Sequence, residues 1–174
     1  MTDGSLAAET LLLQSHAPGT LLQCDSDLVG VLVTDTGRRL IALRPIAKGT
    51  SLFLITGRKT KTPTRYSVQV GASQHLDQDC ARDELDLVRR YFWRYLDHSC
   101  DPTTVIRDRE VIALRDLAMG DGVTFDYNTT EYDMAAPFRC NCGSARCVGM
   151  VRGARHLTRA QRARVARWLP AYLR

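Results

Sequence analysis

The chain has 174 residues, a length that fits one domain with small appendages and excludes two domains of ordinary size. Its apolar runs, such as Leu11–Leu13 and Leu52–Ile55, are far shorter than the roughly 20 residues that a membrane-spanning helix requires, so we expect no membrane segment. The net charge of +5 comes largely from arginines from Arg152 onward, and these are compatible with contact to nucleic acid, with an acidic partner or with a solvated helix face.

The beginning of the chain does not resemble a secretory signal peptide. Residues 1–8 carry acidic Asp3 and no basic cluster ahead of an apolar stretch. We therefore expect an intracellular protein, which would be cytoplasmic, or nuclear if its source is eukaryotic. In a reducing compartment, six cysteines do not favour a disulfide framework, and the tight clustering of three of them favours a metal site.

Residues 1–22 form a predicted N-terminal arm, which contains the Leu11–Leu13 patch and the Pro18-Gly19 break. From Val29 onward, short apolar segments between turn residues predict a mostly β core. The predicted strands are Val29–Thr34, Arg39–Leu43, Ser51–Ile55, Tyr66–Val70, Thr104–Ile106, Val111–Leu114 and Val123–Tyr127.

Two helices and one loop complete the predicted elements. Arg58–Thr64 is polar and contains Pro63, so it is predicted to be a loop. Asp83–Tyr95 combines good helix formers with aromatic residues and is predicted to be helical. At the C-terminus, a capping-box spacing predicts the start of an amphipathic helix with an apolar face. The capping residues are Thr158 and Gln161, and the face consists of Val165, Trp168, Leu169 and Tyr172.

Three thiols lie within eight residues, in the pattern Cys140-x-Cys142-x4-Cys147. This density predicts one structural Zn²⁺ ion, which needs a fourth ligand to complete a tetrahedron. Cys100 is favoured because it lies in a dense polar segment beside Pro102, whose ring enforces extended or turn geometry. The other candidates are His98, Cys80, Cys24, His75 and His156.

Three motifs occur in the order typical of one family: Arg94–Pro102, the stretch Val123–Asn128 with its Phe-Asp-Tyr core, and the cysteine cluster. The chain resembles a SET-domain protein with a post-SET zinc segment. The resemblance implies a mostly β fold of several small curved sheets, with a pseudoknot at the active site and peripheral helices. It also implies that Cys100 joins the three clustered cysteines on zinc.

The resemblance further implies S-adenosylmethionine as methyl donor and the amine of a lysine side chain as acceptor. Tyr127 matches the catalytic tyrosine of the family, Tyr66 a second channel tyrosine, and Phe125 a position where phenylalanine leaves room for di- or trimethylation. The residues expected to bind the cofactor are Arg38, Arg94, Asp97, His98 and Tyr127. Positioning by tyrosines suffices for this in-line transfer, since it needs little covalent assistance.

Several positions depart from the family pattern. Asp97 stands where the family has an asparagine, and Gly37-Arg38-Arg39 lacks the second glycine of the cofactor loop, so that Arg38 or Arg39 is expected to meet the donor's carboxylate. Gly122 stands where a glutamate commonly lies near the acceptor amine, and Thr103 where an asparagine closes the first motif. Catalysis is more sensitive to such changes than fold or metal binding.

We therefore predict a SET domain at residues 23–128, a post-SET zinc segment at 129–150 and a basic C-terminal helix at 151–174. The predicted function is methylation of a lysine side chain in a protein or peptide. The alternatives are a non-catalytic module that binds a protein or peptide, and a SET scaffold that methylates a small amine or a free amino acid. Nucleic acid is not expected as the direct substrate, and the sequence leaves the oligomeric state open.

Overall fold

The computed structural model describes residues 16–174. Most of the predicted N-terminal arm, including Leu11–Leu13, lies outside these residues. The described part contains five small sheets, two short α-helices and several 3₁₀ turns. This is the predicted mostly β architecture of small sheets with peripheral helices. No helix within residues 16–174 combines the length and apolar character needed to cross a membrane.

The first sheet is formed by β1 (Leu21–Leu22), β2 (Val29–Thr34) and β3 (Gly37–Ala42), in that order. The antiparallel hairpin of β2 and β3 runs from the pair Val29–Ala42 to the pair Thr34–Gly37. Because the hairpin turn is so tight, β3 begins two residues earlier than predicted. Val29, Val31 and Leu40 are fully buried, and they place this sheet at the centre of the main apolar core.

Two further three-stranded sheets lie along the middle of the chain. The strands β4 (Ser51–Leu54), β10 (Glu110–Ala113) and β9 (Thr104–Arg107) form one, in that spatial order. The other consists of β5 (Arg58–Thr60), β7 (Gln74–Asp77) and β6 (Val68–Gly71). The strands of both sheets are antiparallel.

The β5–β7–β6 sheet corrects two predictions. The predicted loop Arg58–Thr64 contains β5, because the polar strand β7 offers pairing partners on both of its edges. Tyr66 precedes β6 and does not begin it. A turn holds this part of the chain, since the Thr64 hydroxyl accepts hydrogen bonds from the backbone N–H groups of Tyr66 and Ser67, at 3.2 Å each.

The predicted helix Asp83–Tyr95 divides into two pieces. Helix α1 (Glu84–Arg90) begins after Asp83, whose carboxylate caps it by accepting from the backbone N–H of Asp86 at 2.8 Å. A 3₁₀ turn, Phe92–Tyr95, follows. Tyr91, Phe92 and Trp93 are all buried, and three successive residues span too wide an arc for one face of an α-helix. Burying all three in the core ends the helix.

Helix α2 (Arg159–Val165) begins at the predicted capping box, in which Thr158 and Gln161 each bond to the other's backbone. The α-helix ends at Val165, earlier than predicted, and gives way to 3₁₀ turns at Ala166–Trp168 and Ala171–Leu173. Pro170 lies between these turns and cannot continue a helix. A second, smaller core holds Ala154, Val165, Leu169 and Leu173, with Trp168 and Tyr172 packed against it.

Candidate active site and metal centre

Two segments that are far apart in sequence lie side by side at the candidate site. The strands β8 (Asp97–His98) and β11 (Thr124–Phe125) pair in parallel, Asp97 with Thr124 and His98 with Phe125. The backbone N–H of Ser99 extends the pairing by donating to the Phe125 carbonyl at 3.1 Å. This pairing joins the two motifs that the sequence singled out.

The predicted strand Val123–Tyr127 is thus only two residues long, because the chain turns at Asp126. The carboxylate of Asp126 accepts from the backbone N–H of Asn128 at 3.0 Å and starts the 3₁₀ turn Tyr127–Thr129. This turn carries Tyr127 back across His98, and the two ring centroids are 5.2 Å apart.

His98 connects the tyrosine to the cysteine cluster. Its Nδ1 accepts a hydrogen bond from the backbone N–H of Tyr127 at 3.2 Å, and its Nε2 lies 3.2 Å from the sulfur of Cys100. Burial lowers the pKa of His98 to about 4, so the ring is neutral near pH 7. A neutral ring that accepts at Nδ1 carries its proton on Nε2, from which it donates to the Cys100 sulfur.

The sulfurs of Cys100, Cys140, Cys142 and Cys147 all lie within 4.8 Å of one another. The sulfurs of Cys100 and Cys140 are 3.9 Å apart. A tetrahedral site with Zn–S bonds of about 2.3 Å has S–S edges of about 3.8 Å, so the arrangement fits a structural Zn²⁺ ion. The structure thus brings the predicted Cys100 together with the three clustered cysteines.

Backbone N–H groups point at these sulfurs, as thiolate ligands require. Val148 donates to the Cys100 sulfur and Gly149 to the Cys147 sulfur, at 3.4 Å each. In the metal-free protein, burial raises the pKa of Cys100 and raises that of Cys140 to about 11. Zinc binding must therefore displace protons from these thiols, which couples metal affinity to pH.

Tyr127 lies within an aromatic cluster. Its phenol donates to the Leu96 carbonyl at 2.5 Å, and its ring centroid lies 4.6 Å from that of Phe125 and 5.9 Å from that of Phe138. Burial raises the pKa of the Tyr127 phenol, and the negative charge of Asp97 adds to the shift. The phenol is therefore neutral and acts as a hydrogen-bonding group.

Phe138 was missed in the sequence. It lies on β12 (Phe138–Arg139), which pairs with β13 (Met150–Val151) and leads directly into Cys140. Its ring contacts His98 at a centroid distance of 5.8 Å as well as Tyr127. The available signal was an aromatic residue two positions before the first clustered cysteine, which the folded zinc segment directs toward the site.

Tyr66 and Arg94 lie together, with the Arg94 guanidinium 4.0 Å from the centroid of the Tyr66 ring. The Arg65 guanidinium lies 5.7 Å from the same ring, and its positive charge also acts on the Tyr127 phenol. The ring neighbours of Tyr127 are Phe125, His98 and Phe138. Tyr66 therefore lies in a cationic environment outside the ring contacts of Tyr127, and its catalytic role stays a prediction.

The two arginines of the predicted cofactor loop have different surroundings. The Arg38 side chain is only 3% exposed, forms an ion pair with Glu84 and lies 5.9 Å from the centroid of Tyr95. Desolvation raises the pKa of Asp97, and the positive charge of the exposed Arg39 opposes that rise. The Arg38 guanidinium is already paired with Glu84. Arg39 is therefore the better placed of the two arginines to contact a ligand beside Asp97.

Comparison with known proteins agrees with this geometry. The sequence profile of the SET domain matches residues 37–128, more than half of the chain. Methyltransferase flvH of Aspergillus flavus is 34% identical over 128 residues, a region that covers 71% of this chain and 65% of that protein. The histone-lysine N-methyltransferase, H3 lysine-36 specific, of Saccharomyces cerevisiae is 32% identical over 68 residues, 34% of this chain and 9% of that protein.

Among solved structures, KRYPTONITE in complex with mCHH DNA, H3(1-15) peptide and SAH has the same fold, with a TM-score of 0.54 and 16% identity. The similarity covers 75% of this chain and 30% of that one. The chain thus corresponds to a part of each of these larger proteins. The profile match, the parallel β8–β11 pair and the cysteine cluster agree: the chain belongs to the SET domain family.

Proposed function

We propose that the protein is an S-adenosylmethionine-dependent methyltransferase that acts on the side-chain amine of lysine in a protein or peptide. The observation that carries the proposal is the partly buried Tyr127, whose phenol the Leu96 carbonyl orients within the rings of Phe125, His98 and Phe138. A protein acceptor is supported by histone-lysine methyltransferase relatives and by the H3 peptide in the KRYPTONITE complex.

The charged residues beside the aromatic cluster suit the methionine part of the donor. Asp97 and Arg39 lie close enough for their charges to interact, and they offer a carboxylate and a guanidinium to an ammonium and a carboxylate. His98 and Arg94 complete the set of residues proposed to hold this group. When bound, S-adenosylmethionine supplies an electrophilic methyl group on a sulfonium sulfur.

Tyr127 is proposed to orient the acceptor amine. Because its phenol donates to Leu96, its own oxygen lone pairs are available to accept from an amine N–H. The surrounding rings desolvate the amine and disfavour its charged ammonium form, so that lysine reacts as the neutral amine after losing a proton to solvent. With the donor bound, the nitrogen lone pair held by Tyr127 would be free to take up the methyl group, and S-adenosylhomocysteine would be the leaving group.

Phe125 is proposed to permit di- or trimethylation. Its ring contacts Tyr127 and carries no hydroxyl group that could bind a water molecule beside the amine. Mass spectrometry of the product is expected to show di- or trimethyl lysine. The Phe125→Tyr variant is expected to yield a product with fewer methyl groups. A wild-type product that is monomethylated only would refute this assignment.

The Tyr127→Phe variant tests the proposal. We expect methyl transfer to fall by about 10² or more, because the oriented oxygen is lost. Tyr132→Phe is the matched control, since Tyr132 is 50% exposed and lies outside the aromatic cluster, and it should retain activity. Wild-type activity in Tyr127→Phe would contradict the role of Tyr127.

A small amine or a free amino acid is the second candidate acceptor. The relative with the longer match, over 128 residues, is named only as a methyltransferase, whereas the H3 lysine-36 relative matches over 68 residues. Parallel assays with lysine peptides and with free amino acids separate the two candidates. If no acceptor is methylated and calorimetry shows no binding of S-adenosylhomocysteine, the protein is instead a non-catalytic binding module.

A further inference from the structure

Charge is distributed very unevenly along this chain. Residues 134–174 contain nine arginines and no lysine, aspartate or glutamate. The other 15 basic residues and all 19 acidic residues lie in residues 1–133. The protein therefore joins a mildly acidic body to a strongly basic C-terminal segment, although its overall charge is only +5.

Most of these arginines have no acidic partner in the described part of the chain. Arg146 pairs with Asp101 and Arg155 with Asp133, while Arg162 and Arg174 donate to backbone carbonyls. The remaining five are exposed and form no ion pair with another residue of 16–174: Arg139, Arg152, Arg159, Arg164 and Arg167. The charges of Arg139, Arg152, Arg159 and Arg167 are available to an external ligand, whereas that of Arg164 also acts on buried Asp126.

Three of the five lie on or directly beside the β12–β13 ladder and the cavity that adjoins it, and we call them the arginine face: Arg139, Arg152 and Arg159. Arg139 pairs with Met150 across the β12–β13 ladder, and alternation along the strand puts Arg152 on the same side as Met150. Met150 and Arg152 also line a cavity of about 160 Å³ together with Thr158, which directly precedes Arg159.

We propose that the arginine face binds the phosphate backbone of double-stranded nucleic acid. Arginine presents a planar fork of N–H donors that matches phosphate oxygens bidentately, and every basic residue of this segment is an arginine. Binding here is a separate property from methyl transfer, because the arginine face contains none of the residues of the aromatic cluster.

The composition of the face favours a nucleic acid over an acidic protein. Residues 134–174 carry nine arginines and no acidic residue, a charge that suits a polyanion, and although Val148, Met150 and Leu157 are apolar, the cavity has no Phe, Tyr or Trp among its described lining residues. The same observation favours a duplex, since single strands are held largely by stacking of bases on such rings. A sequence-independent contact to phosphates needs only positive charge and suitable spacing.

Fluorescence anisotropy with a labelled DNA duplex of about 20 base pairs, between about 50 and 200 mM salt, tests the proposal. The variant Arg139→Gln/Arg152→Gln/Arg159→Gln should bind at least about tenfold more weakly and lower the slope of log K against log salt by about 2 to 3. The control Arg44→Gln/Arg58→Gln/Lys59→Gln removes the same charge from exposed positions of the body and should change neither quantity.

Circular dichroism and zinc content verify that both triple variants are folded. Equal weakening in the two variants would show an effect of overall charge and would overturn the proposal. Absence of duplex binding by the wild-type protein at about 50 mM salt would overturn it as well. So would binding of polyglutamate as tight as that of the duplex, because the face would then be a site for acidic protein.

Discussion

The body of the domain and the C-terminal segment are stabilised in different ways. The body buries a large apolar core that includes Val29, Leu40 and Trp93, none of them more than 2% exposed. The C-terminal segment buries only a small cluster around Val165 and Leu169, and its first half depends on four thiols that fit a zinc ion. Small units without a sufficient core commonly need a metal to fold.

The difference matters because the candidate site lies where the two regions meet. His98 and Tyr127 come from the body, whereas Phe138 comes from the zinc segment. Cys100 belongs to the body in sequence, but its sulfur lies with the three clustered cysteines in space. Farther along, Gly153 donates its backbone N–H to the Asn128 side chain at 3.0 Å, and Tyr172 donates to the Gln69 carbonyl at 2.7 Å. The site therefore depends on both regions.

Removal of the metal should have the largest effect on stability, and it should destabilise the C-terminal segment while leaving the body folded. Apparent binding energies of structural zinc are about 10 kcal/mol or more, far above the contribution of a small apolar cluster. With a strong chelator, we expect residues 138–151 to lose protection from amide hydrogen exchange while the β2–β3 hairpin keeps it. Cys142→Ser should have the same effect, and Cys80→Ser, an exposed thiol outside the cluster, should have none.

Equal loss of protection in the β2–β3 hairpin and in residues 138–151 would contradict the division into two regions. It would show that zinc stabilises the body directly, and that the apolar core alone is insufficient.

A cavity created by mutation in the apolar core of the body should have the next largest effect on stability. Leu40 is fully buried in β3, so Leu40→Ala should lower the free energy of unfolding by about 2–5 kcal/mol in urea denaturation. Leu85→Ala, at a side chain that is 57% exposed on α1, is the control and should change it by less than about 0.5 kcal/mol. A stability of Leu40→Ala equal to that of the control would mean that this sheet does not form the core.

The contact of the C-terminal turn with the body should contribute less to the free energy of unfolding than the packing of Leu40. Tyr172→Phe removes the hydroxyl that lies within hydrogen-bond distance of the Gln69 and Thr130 carbonyls, at an expected cost of about 1–3 kcal/mol. Limited proteolysis should cut after residue 157 sooner in this variant, with zinc content unchanged. Cleavage at the wild-type rate would indicate that apolar packing of Leu169 and Leu173 alone holds the turn.

The elements that sequence predicted well are those with strong local signals. The β2 strand has the predicted bounds, and α2 begins at the predicted capping box, because alternation and capping are encoded within a few residues. Both residues of the capping box are also bonded as predicted. The cysteine spacing and the order of the motifs likewise led to the correct family.

The elements that were missed depend on tertiary pairing. The strands β8, β12 and β13 have two residues each, too few for any period to be visible, and they exist because another segment lies beside them. Polar β7 carries no strand pattern of its own. The ion pair of Arg38 with Glu84 joins β3 to α1 across 46 positions, so the sequence could not show that Arg39 is the more available arginine.

We claim that the cysteine segment, once it holds zinc, completes the site, and the zinc dependence of S-adenosylhomocysteine binding decides whether this is so. Calorimetric titration would compare the zinc-loaded protein with the zinc-depleted protein, after circular dichroism has shown that the body is folded in both. Because Phe138 reaches His98 only when the segment is ordered, we expect depletion to weaken binding by about tenfold or more. Equal affinity with and without zinc would contradict the claim.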